Sequence, residues 1–187
     1  MNREQWLTTL SGKMRSMFET HGGIIPTKLR LTCGWPSKGA FSSKRRTIGE
    51  CWQKAASKDG TTEIFISPCL SSSSDVAAVL THELIHACGN MGHKGPFKRL
   101  ALAVGLEGPM RATIAGRELT ERLNALIKPM GDYPHAVLDK SQSPHKKEGT
   151  RLLKVLCLDC GYTVRTTQKW IDCGTPTCPC GSTMEVA

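Results

Sequence analysis

The stretch HELIHACGNMGH, His82 to His93, places three histidines and a glutamate at spacings that suit a metal site. His82 and His86 are four residues apart, so on an α-helix they lie on one face, one turn apart. Two imidazoles in that position can bind one Zn²⁺ at about 2.0–2.1 Å each. Glu83 directly follows His82, where its carboxylate can accept a proton from water at the metal. The pattern predicts a zinc site in which Glu83 is the catalytic residue.

A third protein ligand is expected, because catalytic zinc sites combine three protein ligands with one open position. His93 follows His86 by seven residues, and the glycines on both sides of His93 allow the chain to return towards the metal. Glu107 is an alternative third ligand, since many zinc peptidases take a glutamate from a later helix. The sequence favours His93 and leaves Glu107 open.

Apolar periodicity predicts a mixture of helices and strands before residue 131, hence an α+β domain with a small mixed sheet. The metal helix is expected over 76–88, with Ser74 or Asp75 as its N-cap and Gly89 as its stop. The segment TEIFIS is the strongest strand, and we expect it to be the sheet edge along which an extended peptide could add. The other predicted helices cover 2–19, 95–106 and 117–131, and the predicted strands cover 27–35, 47–53 and 62–68.

Five of the nine cysteines crowd into the last part of the chain, which in a reducing compartment indicates metal binding rather than disulfides. Cys157 and Cys160 form one CxxC knuckle, and Cys178 and Cys180 form a second, shorter one. This interval is typical of a structural zinc ribbon built on β-hairpins. Cys173 remains an alternative fourth ligand, because the second knuckle is one residue shorter than usual.

The segment between these two ligand sets is rich in proline, serine and charge and lacks periodicity, so it is interpreted as a linker. We therefore divide the chain into a first domain (1–135), a linker (136–150) and a small module (151–187) that a metal ion would help to fold.

The net charge of +9 permits contact with nucleic acid but does not establish it. Basic residues cluster in SKRRT (43–47) and HKK (145–147), which could contact phosphates, and Tyr162 and Trp170 could stack on unpaired bases. These features predict a weak preference for single-stranded DNA.

The chain has no apolar run long enough for a membrane helix and no signal peptide, which favours a cytoplasmic protein, or a nuclear one in a eukaryote. Nothing in the sequence indicates an oligomeric state.

The stretch VLTHELIHACGNMGHKGPFKRLALAVGL resembles the SprT-like metallopeptidase family, which includes Spartan, a eukaryotic protease of DNA–protein crosslinks. The family pattern is His-Glu-x-x-His, a loop, and then Gly-His-x-x-x-Phe, matched here by His82, Glu83, His86, Gly92, His93 and Phe97. The segments IGECW, EIFISPCL and GLEGPM resemble the phage branch of the family, which would place the protein in a bacterial or phage-infected cell.

This resemblance implies a zincin-like metallopeptidase domain followed by a zinc ribbon, with one catalytic and one structural Zn²⁺. It also implies a zinc-dependent endopeptidase that acts on proteins at or near DNA. The alternative is a nucleic-acid-binding or transcription-associated zinc protein whose peptidase site is vestigial. The intact Glu83 argues against that alternative, because a merely structural metal site does not need this carboxylate.

Overall fold

The computed structural model describes residues 1–42, 44–142 and 152–187. Of the two predicted basic segments, Ser43 of SKRRT and the whole of HKK (145–147) lie outside the described residues. The described chain is a mixture of α-helices and small β-sheets, in agreement with the predicted α+β class.

The chain divides into two compact units, Met1–Gln142 and Ser143–Ala187, and the division falls inside the predicted linker. Residues 136–142 belong to the first unit. There the Leu138 N–H donates to the Pro68 carbonyl at 2.9 Å, so the chain beyond residue 135 still packs on the first unit.

The first unit contains four helices and five short strands among its described residues, and consecutive elements are often of the same kind. The helices are α1 (Arg3–Thr20), α2 (Ser73–Ala87), α3 (Pro96–Val104) and α4 (Arg117–Ile127), with short 3-10 turns at Lys54–Ala56 and Lys140–Gln142. The strands are β1 (Leu29–Cys33), β2 (Gly49–Trp52), β3 (Thr62–Ile66), β4 (Leu106–Glu107) and β5 (Ile114–Ala115). The two-stranded sheet β4–β5 connects α3 to α4.

The core of the first unit lies between α1, α2 and one face of the three-stranded sheet. Trp6 and Phe18 of α1 are fully buried, as are Leu80 and Leu84 of α2 and Ile64 of β3. Alternate residues of a strand point to opposite faces, so the sheet turns one row of side chains towards this core and the other row outwards. Burial of these apolar side chains is the main force that seats α2, the metal helix, on the sheet.

The strand order of this sheet is β1–β3–β2, which makes β3 the central strand. β3 pairs in parallel with β1 and antiparallel with β2. The prediction that the TEIFIS segment is a sheet edge is therefore wrong, because both of its sides are occupied. The uninterrupted apolar pattern of Ile64, Phe65 and Ile66 fits a central strand, and the edge beside the metal helix is β2.

The metal helix begins earlier than its sequence predicts. Its N-cap is Ser72, whose hydroxyl accepts from the Asp75 N–H at 3.3 Å, rather than Ser74 or Asp75. Ser73 to Asp75 adopt helical geometry because any serine of this run can cap, and tertiary packing selects which one does. At the other end α4 stops at Ile127, two residues before Pro129. Lys128 still has helical backbone angles, but Pro129 has no N–H with which to continue the helical hydrogen bonds.

The second unit is a small three-stranded sheet with one short helix. It contains β6 (Leu153–Leu156), β7 (Thr163–Thr166), α5 (Gln168–Cys173) and β8 (Glu185–Val186), in the strand order β7–β6–β8. Its apolar core consists of Val155, Cys157, Cys178 and Met184. Two of these four residues are cysteines, so the cluster of thiols is part of what this unit packs around.

Candidate metal centres

The three predicted histidines come together at one point. His82 Nε2 and His86 Nε2 each lie 3.2 Å from His93 Nε2. Two nitrogens bound at about 2.05 Å to a tetrahedral zinc ion are separated by about 3.3 Å. The distances between these side chains therefore match the spacing that a zinc ion needs, and the donor type is one that zinc prefers.

Hydrogen bonds at the opposite ring nitrogens hold two of the imidazoles in place. His82 Nδ1 lies 2.8 Å from Thr113 Oγ1, and His86 Nδ1 lies 2.6 Å from the Asn90 carbonyl oxygen. A carbonyl can only accept, so His86 carries its proton on Nδ1 and leaves the Nε2 lone pair for a metal. Gln53 Nε2 donates to the His86 carbonyl at 2.8 Å, which ties the end of β2 to α2.

Phe97 forms a common base for the three imidazoles. Its ring centroid lies 4.9 Å from that of His82, 4.6 Å from that of His86 and 4.9 Å from that of His93, and the side chain is fully buried. Gly89 and Gly95, both with positive φ, turn the chain between α2 and α3 so that His93 returns to the cluster.

The carboxylate of Glu83 is buried beside this cluster and lies against β2. Gly49 of β2 faces it so closely that a Cβ there would come within 2.5 Å of Glu83 Oε1 and 2.7 Å of Val79 Cγ1. Burial, with a smaller contribution from the charge of Glu50, raises the pKa of Glu83 to about 8 in the chain without metal. The residue beside the predicted ligands is thus an acid–base group in a low-dielectric position.

Burial also keeps the three imidazoles neutral. It lowers the pKa of His82 to about 3, with further contributions from His86 and His93. Burial likewise lowers the pKa of His86 and that of His93, the latter with help from the charge of Arg111. Neutral imidazole is the form that binds a metal, so the cluster is ready for a cation at neutral pH.

A cavity of about 530 Å³ opens over the histidines and Glu83. We call it the metal cavity. Arg45 and Arg46 of the SKRRT segment line it together with Arg111, while β2 contributes Gly49 and Cys51 to its wall. The three imidazoles therefore line a cavity whose wall also carries three arginines.

The structure distinguishes between the two candidates for third ligand. His93 belongs to the cluster, and among the described residues Glu107 does not. Glu107 lies in β4 with its carboxylate against Gly116, and its side chain is exposed. His93 is therefore the third residue that could hold the ion.

The four predicted cysteine ligands form the second cluster. Cys157 Sγ lies 3.6 Å from Cys180 Sγ, and Cys160 Sγ lies 3.4 Å from Cys178 Sγ. Two sulfurs bound at about 2.3 Å to a tetrahedral zinc ion are separated by about 3.8 Å, so this set also fits zinc. Hydrogen bonds from Ser182 lower the pKa of Cys180 to about 6, which favours the thiolate that binds a metal.

Cys173 is not in the four-cysteine cluster of the described residues. It is an exposed residue at the end of α5. The first knuckle joins β6 to β7, and the Gly161 N–H donates to the Cys157 carbonyl at 2.9 Å. The second knuckle lies between Thr177 and Thr183, which form an antiparallel bridge. This bridge brings Cys178 and Cys180 back to the first knuckle in spite of their shorter spacing.

Comparisons of the chain with protein-family models, with curated proteins and with solved structures gave no match. Both clusters could hold metal ions, and their donors are compatible with zinc. Among the helices of the described residues, none is both long and apolar enough to span a bilayer.

Thr113, Gly49 and Gln53 are site residues that sequence reasoning missed. None of them belongs to a ligand motif: Gly49 begins β2, Gln53 directly follows it, and Thr113 directly precedes β5. The only sequence signal was the glycine at the start of the strand IGECW, where a side chain would be expected in a strand. Thr113 had no signal of its own.

Proposed function

We propose that this protein is a zinc-dependent endopeptidase of the SprT-like type, with a zincin-like first unit and a zinc ribbon as its second. One observation carries the proposal: three neutral imidazoles converge beside a buried carboxylate, on the floor of a cavity that opens along a sheet edge. Structural zinc sites are closed by four protein ligands, whereas catalytic sites keep a position open. The Glu83 carboxylate has no place in a purely structural site.

His82, His86 and His93 would hold the ion, and Glu83 would move protons. A zinc ion in this position supplies Lewis-acid chemistry, which polarises a carbonyl group and makes water a stronger acid. Glu83 accepts a proton on its carboxylate while water attacks the peptide carbonyl, and then donates that proton to the leaving amine. The positive charge of an ion beside Glu83 favours its ionised form, which is the form required of a base at neutral pH.

The edge of β2 would bind the substrate as an added strand. The Ile48 carbonyl accepts from the Ser67 N–H at 2.9 Å, and hydrogen-bonded pairs alternate along antiparallel strands. The N–H and C=O groups of Gly49 and Cys51 therefore point away from β3. They have no backbone partner in residues 1–42 and 44–142. An extended peptide can pair with them and so pass over the metal cavity.

Replacing the proposed base tests this function. Glu83→Gln should retain the catalytic zinc, because the three histidines are unchanged, and should lose cleavage of casein or of the chain itself. An amide cannot accept the proton. Glu118→Gln, on the exposed surface of α4, is the matched control and should cleave as the parent does. Cleavage by Glu83→Gln at the parental rate, or no cleavage by any zinc-loaded form, would contradict the proposal. The second result would favour a nucleic-acid-binding protein with a vestigial site.

Contact with DNA is the second part of the proposal. Tyr162 and Trp170 of the second unit are exposed, at 49% and 59%, so their rings are available for stacking on unpaired bases. Lys169 Nζ lies 5.2 Å from the centroid of the Trp170 ring, which adds a cation for a phosphate. Labelled single strands and duplexes titrated at two salt concentrations test this contact. Trp170→Ala should weaken single-strand binding, and unchanged affinity would exclude Trp170 as the contact.

A further inference from the structure

A second cavity, also of about 530 Å³, opens on the outer face of the three-stranded sheet, away from the helices. We call it the outer cavity. Leu31, Ile64 and Ile66 point from the sheet into the apolar core, so their neighbours in sequence point outwards. The strand register places six side chains in two rows across this face: Arg30, Glu63 and Trp52 in one row, and Thr32, Phe65 and Glu50 in the next.

Aromatic rings form much of the wall of the outer cavity. Trp35, Trp52 and Phe65 all line it. The ring of Trp35 is held in place by Phe41, at 4.6 Å between centroids, and Trp52 is 42% exposed. The sheet thus presents a pre-ordered aromatic surface to solvent, although large aromatic side chains usually bury their faces in a core.

Carboxylates lie between these rings. The guanidinium of Arg30 is shared by Glu63 and Asp59, with 2.8 Å from Nη2 to Asp59 Oδ2. Glu50 accepts hydrogen bonds from the Ser37 N–H and hydroxyl at 2.7 and 2.6 Å. Burial opposes ionisation of Glu50, but the hydrogen bonds from Ser37 and Trp52, together with the charge of Lys38, outweigh it and hold the pKa of Glu50 below its usual value.

These groups leave a local excess of negative charge. Asp59, Glu63 and Glu50 supply three negative charges, and Arg30 and Lys38, which acts on Glu50 through its charge, supply two positive ones. The difference of one negative charge stands on a chain whose net charge is +9. A patch of this sign on a strongly basic protein is complementary to a cation.

We propose that the outer cavity binds a cationic side chain, lysine or arginine, of a protein partner. A cation above a tryptophan ring gains from the ring quadrupole, and a carboxylate at the same point adds a charge-assisted hydrogen bond. Trp52 and Glu50 provide this combination on adjacent rows of the sheet. An ionised carboxylate has about four lone-pair positions. Ser37 uses one on each oxygen of Glu50 and the Trp52 side chain uses a third, so one position is left to accept from an ammonium or guanidinium group.

The partner that fits this position is the peptide substrate itself, an identification that rests on the proposed function. Glu50 lines both the metal cavity and the outer cavity, so the two meet at β2. A peptide strand added to the β2 edge would project alternate side chains to the two faces of the sheet. A basic residue directed to the outer face would then lie beside Glu50 and Trp52.

The aromatic side chains of the outer cavity could stack on bases, but a nucleic acid suits this cavity poorly. A phosphate brought there would meet the Glu50 charge. Arg30, the one arginine among the described residues that line the cavity, is already bound to two carboxylates. Single-strand binders combine their aromatic platforms with a positively charged groove, and here the local charge has the opposite sign.

Tryptophan indole signals offer a direct readout. The chain has four tryptophans, of which Trp35 and Trp52 line the outer cavity, while Trp6 is fully buried elsewhere and Trp170 belongs to the second unit. The zinc-loaded full chain with Glu83→Gln, labelled with nitrogen-15, is titrated with a short serine- and glycine-rich peptide that contains one arginine. The same peptide with citrulline in place of arginine is the neutral, isosteric control, and a lysine version compares the two cations.

We expect the arginine and lysine peptides to shift the Trp35 and Trp52 indole signals and to leave those of Trp6 and Trp170 unchanged. The arginine peptide should bind about tenfold more tightly than the citrulline peptide. When Trp52→Leu or Glu50→Gln is introduced into the same chain, the ratio of the arginine to the citrulline affinity should fall to about one. Trp170→Leu and Glu118→Gln should preserve this ratio.

Equal binding of the arginine and citrulline peptides would overturn the site, as would a preference that survives both outer-cavity variants. So would an oligonucleotide that shifts the Trp52 signal when the peptides do not, since the cavity would then stack bases. Because binding is measured without cleavage, a chain that binds arginine at Trp52 but never cleaves a peptide retains the site. That result would overturn the proposed function instead.

Discussion

Gly49 and Glu83 fit together so closely that a Cβ on Gly49 would come within 2.5 Å of Glu83 Oε1 and 2.8 Å of Glu83 Cγ. Gly49 belongs to the edge strand β2 and Glu83 to the helix α2. Because Gly49 has no side chain, the Glu83 carboxylate can occupy the space beside β2. Glu83 lies directly after His82 in α2, so its backbone cannot move without moving the helix. The backbone of β2 thus determines where the carboxylate stands relative to the three histidines.

Gly49→Ala should therefore displace the Glu83 carboxylate while leaving the histidines in place. We expect zinc content to remain that of the parent and kcat for peptide cleavage to fall about ten- to a hundredfold, as small displacements of catalytic groups commonly cause. Gly12→Ala is the matched control, since Gly12 is an exposed residue of α1 with no atom close to an added Cβ. It should cleave normally and gain roughly 0.5–1 kcal/mol of stability. Normal cleavage by Gly49→Ala would contradict this prediction, because β2 or Glu83 would then have shifted without affecting kcat.

Thr113 should control zinc affinity through His82. Its hydroxyl lies 2.8 Å from His82 Nδ1 and so selects the ring orientation in which Nε2 faces the ion. Thr113→Val keeps the shape but removes the hydroxyl, and we expect zinc affinity to fall about 10–100-fold in a chelator competition. Thr113→Ser restores the hydroxyl and should bind zinc like the parent. Equal affinity of the valine and threonine forms would mean that packing alone orients the ring.

The third ligand can be tested by a pair of substitutions. His93→Ala removes one of three converging nitrogens, so catalytic zinc should bind at least about a hundredfold more weakly. Glu107→Gln should leave the affinity unchanged, because that carboxylate lies against Gly116 and outside the cluster. Affinities follow from competition with a metal-sensitive dye at constant pH. The opposite ranking of the two variants would transfer the third ligand to β4.

The full chain should contain two zinc ions, as elemental analysis of the purified protein would show. Cys180→Ser removes a sulfur that lies 3.6 Å from Cys157 Sγ and should reduce the content to one, while destabilising the second unit. Cys173→Ser, at an exposed thiol outside the cluster, should retain two. Loss of zinc from the Cys173 variant and not from the Cys180 variant would reverse the ligand assignment.

Glu83 should also make the metal-free chain sensitive to pH. Its pKa is raised from 4.5 to about 8, so the folded chain keeps a proton that the unfolded chain releases. The contribution of protonated Glu83 to the free energy of unfolding is then fully present below about pH 4.5, and it is lost as the pH rises through 8. Gln at position 83 cannot ionise. The free energy of unfolding of Glu83→Gln, measured relative to the parent, should therefore rise by on the order of 2–5 kcal/mol between pH 4.5 and pH 8.5. Urea unfolding followed by helical circular dichroism measures this, and a pH-independent difference would contradict the assigned burial effect.

The sequence by itself indicated the local part of each ligand set, because that geometry depends on residues close together in the chain. A spacing of four residues on a helix places His82 and His86 on one face wherever the helix lies, and a CxxC knuckle likewise brings Cys157 and Cys160 together. The helical turn also places Glu83 next to its ligand neighbour. The mixture of helices and strands followed from periodicity in the same way, since it depends on residues close together in the chain.

Only the tertiary structure decided what depends on contacts between distant segments. The register of three strands makes β3 central and β2 the edge, a choice that the apolar pattern of TEIFIS does not contain. The approach of Thr113 to His82, the exclusion of Glu107, and the contact between Gly49 and Glu83 likewise join segments far apart in sequence. Such contacts arise from the packing of whole faces, in which each side chain contributes a little and no short motif determines the outcome.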